Sequence, residues 1–414
     1  MKKSSVEFHK KRKNSGLIVT YCVILLFILC ASAVWYLVMV YMSDFSLSRL
    51  KTNAIGENSS DSDTIASTSE IAEAKLQQRV ADILVDMSIE EKVGQMFVLR
   101  ADDSTEFCSI LSQTKAGGVL LFARDFKNKS RNEVIAMIER MQSASDGRLL
   151  MAVDEEGGTV VRVSSNPNLR STKFKSPQDL YAAGGFDLIK VDTVEKCTLL
   201  KSLGINMNFA PVADVCTNPK GFMYKRSFGK DAEQTAEFVT LVVDTMQQND
   251  VMCCVKHFPG YGNSVADTHD GLDVNTKTLE ELNASDLIPF RRAISHDVDS
   301  IMLTHTIINA IDSEAPASLS EKVVKMIRDE MDFDGVLISD AMDMGAIQKF
   351  SGNSGKACVS AVKAGIDLIC SPENPVSDYN SVLNAVKSGD IPESQIDEAA
   401  ARIVKMKIQS GIYG

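Results

Sequence analysis

The stretch VMCCVKHFPGYGNSVADTHDGL, residues 251–272, joins an apolar pentapeptide to a glycine-containing loop that carries Lys256, His257, Asp267 and His269. A strand that empties into a loop crowded with titratable groups is how a (β/α) enzyme sets catalytic residues at the carboxyl edge of its sheet. A second stretch, DGVLISDAMDMGAI at 334–347, delivers Asp340 to a loop in the same manner.

Working outward, eight apolar runs read as strands: 93–99, 117–123, 148–153, 205–212, 251–255, 300–304, 335–339 and 365–369. Helix-like stretches at 131–144, 231–248, 279–295 and 321–331 lie between them. Strands alternating with helices predict an α/β protein with a parallel sheet. Eight such repeats favour a single closed (β/α)8 TIM-type barrel over an open sheet.

The amino terminus has a different character. Residues 1–16 form a basic tail, followed by an uncharged apolar run at 17–42 of 26 residues. At about 1.5 Å per residue this exceeds the roughly 30 Å hydrocarbon core, so a single-pass transmembrane anchor is expected, preferred to a cleaved signal peptide. The basic flank should stay cytoplasmic and place the body outside the cell membrane. Residues 43–75, rich in Ser, Asp, Glu and Thr, read as a flexible linker. Residues 76–414 then form one catalytic domain.

Charge and cysteine usage exclude other classes. The first fifty residues carry seven Lys/Arg against Glu7 and Asp44, net +5, so the remainder of a chain of net charge −11 carries −16. A body this acidic repels phosphate backbones, and no nucleic-acid partner is expected. Seven of the nine cysteines lie in the body without zinc-ribbon or disulfide-scaffold spacing, and Cys253 and Cys254 read as packing residues.

Polar residues immediately follow the apolar runs: Asp154 with Glu155 and Glu156, Asp214, Lys256 with His257, His305, and Asp340. Buried charges are costly unless paired or used, so this convergence points to one site on one barrel face. Asp340 is the nucleophile candidate, since a carboxylate attacking an anomeric carbon forms a covalent glycosyl intermediate. Asp267 stands two residues from His269, where it can orient an imidazole whose ordinary pKa of about 6.5 suits proton transfer in both directions.

These residues carry a family resemblance. DEEGGTVVR (154–162) resembles DQEGGRVQR, RSFG (226–229) is identical, KHFPGYG with DTH (256–269) resembles KHFPGHG with DSH, and SDAMDMGAI (339–347) resembles a nucleophile segment. Over about 80–410 the chain is similar to the N-terminal barrel domain of glycoside hydrolase family 3, specifically its bacterial β-N-acetylhexosaminidases.

The resemblance implies Asp340 as nucleophile, His269 as acid/base and Asp267 as its partner. It further implies that Asp154, Arg162, Arg226, Lys256 and His257 bind the terminal β-linked N-acetylglucosamine (GlcNAc) of muropeptides, with no cofactor and no metal. Gly157 and Gly158 are expected to let backbone approach the sugar. Tyr261 stands where that family usually has histidine, and Asn263-Ser264 where Asp-Thr is common. The chain ends soon after its eighth strand, which disfavours the two-domain β-glucosidases. Other readings are a GlcNAc phosphorylase of the same family, an inactive cell-wall binding module, and a metal-dependent barrel hydrolase with His257, His305 and Asp340 as ligands.

Overall fold

A computed structural model describes residues 61–261 and 272–413. The chain divides into two compact units, 1–72 and 73–414, and the second contains the barrel. The expected membrane span at 17–42 and most of the linker lie outside the described residues. Among the described residues no helix is long and apolar enough to cross a membrane.

Eight parallel strands line the barrel: β1 (Phe97–Arg100), β2 (Gly118–Leu121), β3 (Leu150–Val153), β4 (Met207–Asn208), β5 (Met252–Phe258), β6 (Ser300–Leu303), β7 (Val336–Ser339) and β8 (Ile369–Cys370). They pair in chain order from β1 to β7, and β8 returns beside β1 with Phe97 opposite Ile369. A parallel bridge between Ile338 and Leu368 joins the two ends of the sheet, where Ser339 N donates to Leu368 O at 2.9 Å. The expected α/β barrel is therefore the observed architecture.

Local chemistry sets the helices between the strands. Ser88 with Glu91, Ser130 with Glu133 and Thr278 with Glu281 each make a reciprocal capping box that satisfies otherwise orphaned N–H groups. The apolar face of helix Ala232–Gln247 buries Phe238, Val239, Val242, Val243 and Met246 against the sheet.

Several expectations shift, and the first run, 93–99, is a strand only from Phe97, since 93–95 complete the helix Ile89–Gln95. The run at 205–212 is a continuous strand only at Met207–Asn208; Pro211, which lacks the N–H that a ladder needs, interrupts it, and pairing resumes at a parallel bridge between Val212 and Lys256. The helix expected at 279–295 divides into Leu279–Ala284 and Leu287–Ile294, where the buried Asp286 turns to meet Lys277. The helix expected at 321–331 changes from Glu321–Lys325 to a π-helical turn at Met326–Glu330. The last strand starts later than 365 because Gly365, at φ +100°, ends the preceding helix in a left-handed cap.

At the floor of the barrel the fully buried Lys407 inserts its ammonium among Gln95 Oε1 at 2.7 Å and the carbonyls of Gly117 and Arg148, each at 2.8 Å. Gly117 permits this close assembly, since a Cβ there would stand 2.1 Å from the Gln95 carbonyl oxygen. At the opposite, carboxyl end of the strands the loops gather the polar residues. Cys253 and Cys254 are buried in β5 as free thiols, in keeping with a packing role.

Candidate active site

Strand β3 hands the chain to Asp154, Glu155 and Glu156, and the three carboxylates take different directions. Glu155 turns inward and accepts from the backbone N–H groups of Arg162 at 2.8 Å and Val163 at 2.7 Å, which staples the following loop to the barrel. Asp154 and Glu156 both face Lys256, whose Nζ lies 2.7 Å from Asp154 Oδ1 and 2.8 Å from Glu156 Oε1. Asp154 and Glu156, two residues apart, thus share one side of the chain just past β3, and Glu155 takes the other.

Arg226 closes the network. Its Nε and Nη2 donate to the two oxygens of Glu156 at 3.0 and 2.7 Å, a forked pair that fixes the plane of the guanidinium. Burial pushes the Glu156 carboxyl up, but the Arg226 and Lys256 charges outweigh it and hold the group well below the usual carboxylate range. Burial likewise works against the Lys256 ammonium, and the Asp154 and Glu156 charges reverse that and raise it. Arg162 reaches Asp154 Oδ2 at 3.4 Å.

His257 is buried and donates from Nδ1 to Asp214 Oδ2 at 2.8 Å, while its Nε2 lies 3.5 Å from Arg226 Nη2. The other oxygen of Asp214 accepts from the Tyr261 backbone N–H at 2.8 Å. The Tyr261 ring stands edge-on to His257, with centroids 5.2 Å apart, and is itself buried with Val212, Cys216 and Met223. Tyr261 thus braces His257 rather than lining the mouth.

Asp340 leaves the end of β7 and is tied to β6 by its N–H donating to Leu303 O at 2.9 Å. The Ala341 amide donates to Asp340 Oδ1 at 2.8 Å. No hydrogen bond to Oδ2 is present among the described residues. Burial raises the Asp340 carboxyl, but His257, His305, the Ala341 amide and Lys256 together lower it below its ordinary value. The carboxylate is kept ionised, as a nucleophile must be.

His305 is wholly buried beside it. Its Nε2 meets the Ala341 carbonyl at 3.0 Å and its Nδ1 meets Ser318 Oγ at 2.6 Å. A carbonyl only accepts, so Nε2 carries the hydrogen, and burial lowers the tendency of this ring to take a second proton. In that form Nδ1 accepts from Ser318, and His305 grips the backbone one residue past Asp340. With both nitrogens engaged it has none to offer a metal, and among the described residues no group of three such side chains is arranged as a metal site.

Of the eight residues given a catalytic or sugar-binding role from the sequence, six, Asp154, Arg162, Arg226, Lys256, His257 and Asp340, converge on this face. Asp267 and His269 lie outside the described residues. Glu156, Asp214 and His305, which the sequence also places after apolar runs but without an assigned role, join the six through Arg226, His257 and the Ala341 carbonyl. Gly157 and Gly158 have φ +102° and +65°, and a Cβ would lie 2.2 Å from Lys175 O and 2.8 Å from Ser176 Cβ, respectively. They let their own loop pack on 174–176.

The model of the Glycosyl hydrolase family 3 N terminal domain matches residues 88–406. The chain belongs to glycosyl hydrolase family 3. Within that family it is 30% identical over 338 residues to a protein from Idiomarina loihiensis named Beta-hexosaminidase, covering 80% of this chain and 94% of the relative. It is 28% identical to Beta-hexosaminidase A of Pseudoalteromonas piscicida, covering 73% of this chain but 55% of that longer protein. Among solved structures, a family 3 β-N-acetylglucosaminidase from Paenibacillus sp. superposes with TM-score 0.74 at 32% identity, over 79% of this chain and 64% of that one.

Proposed function

We propose that this family 3 chain is a retaining exo-β-N-acetylglucosaminidase that releases non-reducing terminal GlcNAc, drawn from peptidoglycan fragments. The observation that carries the reading is the ionised Asp340 carboxylate, with Oδ1 held by the Ala341 amide, on the face where Lys256, Asp154, Glu156 and Arg226 assemble. In the first step Asp340 Oδ2 forms a bond to the anomeric carbon as the bond to the aglycone oxygen breaks. His269, oriented by Asp267, gives that oxygen its proton. Water then attacks the glycosyl-aspartate, His269 takes the proton back and Asp340 is released.

Lys256, Asp154 and Arg162 supply paired donors and acceptors for the sugar hydroxyls. His305 is a positioning residue that holds the Ala341 carbonyl and with it the turn behind the nucleophile. The choice of GlcNAc is supported by the names of the relatives and by the Asp267-Thr268-His269 sequence. The apolar run at 17–42 supports a membrane anchor with the barrel outside the cytoplasm, and a tether that lets it reach the wall.

The full-length chain in detergent should hydrolyse aryl β-GlcNAc far faster than aryl β-glucoside, equally with and without added phosphate and in EDTA. Preference for the glucoside, or turnover that requires phosphate, contradicts the proposal.

A further inference from the structure

Behind Glu156 the barrel is covered by the helix Pro177–Lys201, which breaks at Gly184 and Gly185 and continues to its end. Its buried stripe of Ile189, Thr193, Cys197 and Leu200 is interrupted by two charged residues, Asp192 and Lys196, which are 8% and 7% exposed. They stand one turn apart, with Lys196 Nζ 3.5 Å from Asp192 Oδ2. Taking two charges out of water is costly, and apolar side chains of the same volume are often at least as stabilising. Asp192 Oδ2 accepts no hydrogen bond among the described residues, and burial raises its carboxyl against the opposing pull of Lys196. Helix packing alone gives no reason for this pair.

Lys196 is directed at the site. Its Nζ donates to the Glu156 carbonyl at 3.3 Å and lies 5.2 Å from the Phe174 ring centroid. The Phe174 carbonyl in turn accepts from the Gly158 N–H at 2.9 Å. One ammonium therefore meets both layers of the loop that follows Glu156. Between helix and barrel lies a cavity of about 30 Å³, lined by Asp192, Thr193 and Lys196 on one side and by Glu156, Asn208 and Arg226 on the other. Atoms that face a gap forfeit the contacts that would fix them, so the Lys196 bond spans the place where packing behind Glu156 is loosest.

We propose that Lys196 is a positioning residue for sugar binding: from behind the barrel it holds the Glu156 carbonyl and so sets the carboxylate shared by Arg226 and Lys256, while Asp192 anchors its ammonium. The inference rests on the reading of Arg226 and Lys256 as sugar-binding residues and adds to it a control that lies outside the pocket. A hydrogen bond from a charged donor to a backbone carbonyl is stronger than a neutral one, which suits it to fix a segment that packing leaves loose.

The test uses variants of the full-length chain. Lys196→Met keeps the length and removes the donor. It should raise both KM for an aryl β-GlcNAc and the inhibition constant of free GlcNAc about tenfold with kcat within about twofold, the pattern of a contact made equally in ground and transition states. Lys196→Arg should recover most of the loss, and Asp192→Asn, which leaves the donor in place, should raise both constants only about threefold. Lys407→Met removes a buried ammonium at the barrel floor and should leave both constants unchanged, which separates positioning from general loosening. Circular dichroism checks that each variant is folded, and Lys196→Gln replaces Lys196→Met if the latter is not. A folded Lys196 variant with the parent's constants, an equal rise in Lys407→Met, or a loss confined to kcat overturns the inference. A parent chain that neither binds nor cleaves GlcNAc compounds instead overturns the function on which the inference rests.

Discussion

Glu156 and Arg226 are joined by two hydrogen bonds, at 2.7 and 3.0 Å, and Lys256 shares the first of those carboxylate oxygens at 2.8 Å. Both cations bind one buried acid, which makes Glu156 the electrostatic keystone that joins Arg226 to Lys256.

Glu156→Gln keeps the shape and removes the charge. Breaking a buried pair from one side typically costs about 3–5 kcal/mol, because the remaining cation is left uncompensated. Urea unfolding should show a loss near the lower figure, since Asp154 still serves Lys256, and kcat/KM should fall with it. The folded carboxyl holds its proton less tightly than the unfolded one. Its stabilisation is therefore full above the ordinary glutamate pKa of about 4.3 and is lost as pH falls toward the lower folded value. A Gln variant as stable as the parent at pH 7 shows that the pair is not the keystone described.

How far the sequence discloses this site depends on which residue is asked about. Apolar runs that stop at a charged residue mark strand ends, so Asp154, Lys256 and Asp340 are legible from patterning alone. Which of Asp154, Glu155 and Glu156 faces the mouth is not legible, because the answer depends on whether β3 continues extended past Val153. The contraction of the fourth strand to Met207–Asn208 follows from Pro211, which is visible, but its effect on register is not. Tyr261 looks like a change in the loop, whereas its ring is buried against His257 because Asp214 holds its backbone N–H. Three-dimensional partners more than 40 residues away in sequence determine that outcome.

His305 acts through the Ala341 carbonyl. Replacing it by Ala leaves that carbonyl and Ser318 Oγ without their partner in a buried setting, and the turn carrying Asp340 loosens. A loss of about 10- to 100-fold in kcat with KM nearly constant is expected, the pattern of a group that positions the nucleophile. A rise in KM alone points instead to a sugar contact.

The lowered Asp340 carboxyl has a kinetic signature. The acid limb of the kcat/KM profile on an aryl GlcNAc should fall below the ordinary aspartate pKa of about 3.9, provided the fold survives there. An acid limb near pH 6 assigns the limb to another group.

Lys407 sets a stability trend at the other end of the barrel. Burial lowers its ammonium to about 7 from 10.5. Between those values the unfolded chain binds more protons, so stability should rise with pH across that window, and the burial penalty is present in full below it. A shift of this size corresponds to a few kcal/mol, on the order of 1.4 per unit. Lys407→Met should abolish the gain between pH 7 and 9 in urea unfolding, while losing the bonds to Gln95, Gly117 and Arg148. An equal gain in parent and variant assigns the trend to other residues.

The most direct test of the account is to trap the intermediate. A fluorinated GlcNAc donor with a good leaving group forms the glycosyl-enzyme faster than water removes it, and digestion followed by mass spectrometry locates the bound sugar. The account predicts one GlcNAc-derived adduct on the peptide containing Asp340, absent from Asp340→Ala. An adduct on a different carboxylate, or rapid turnover by Asp340→Ala, contradicts it.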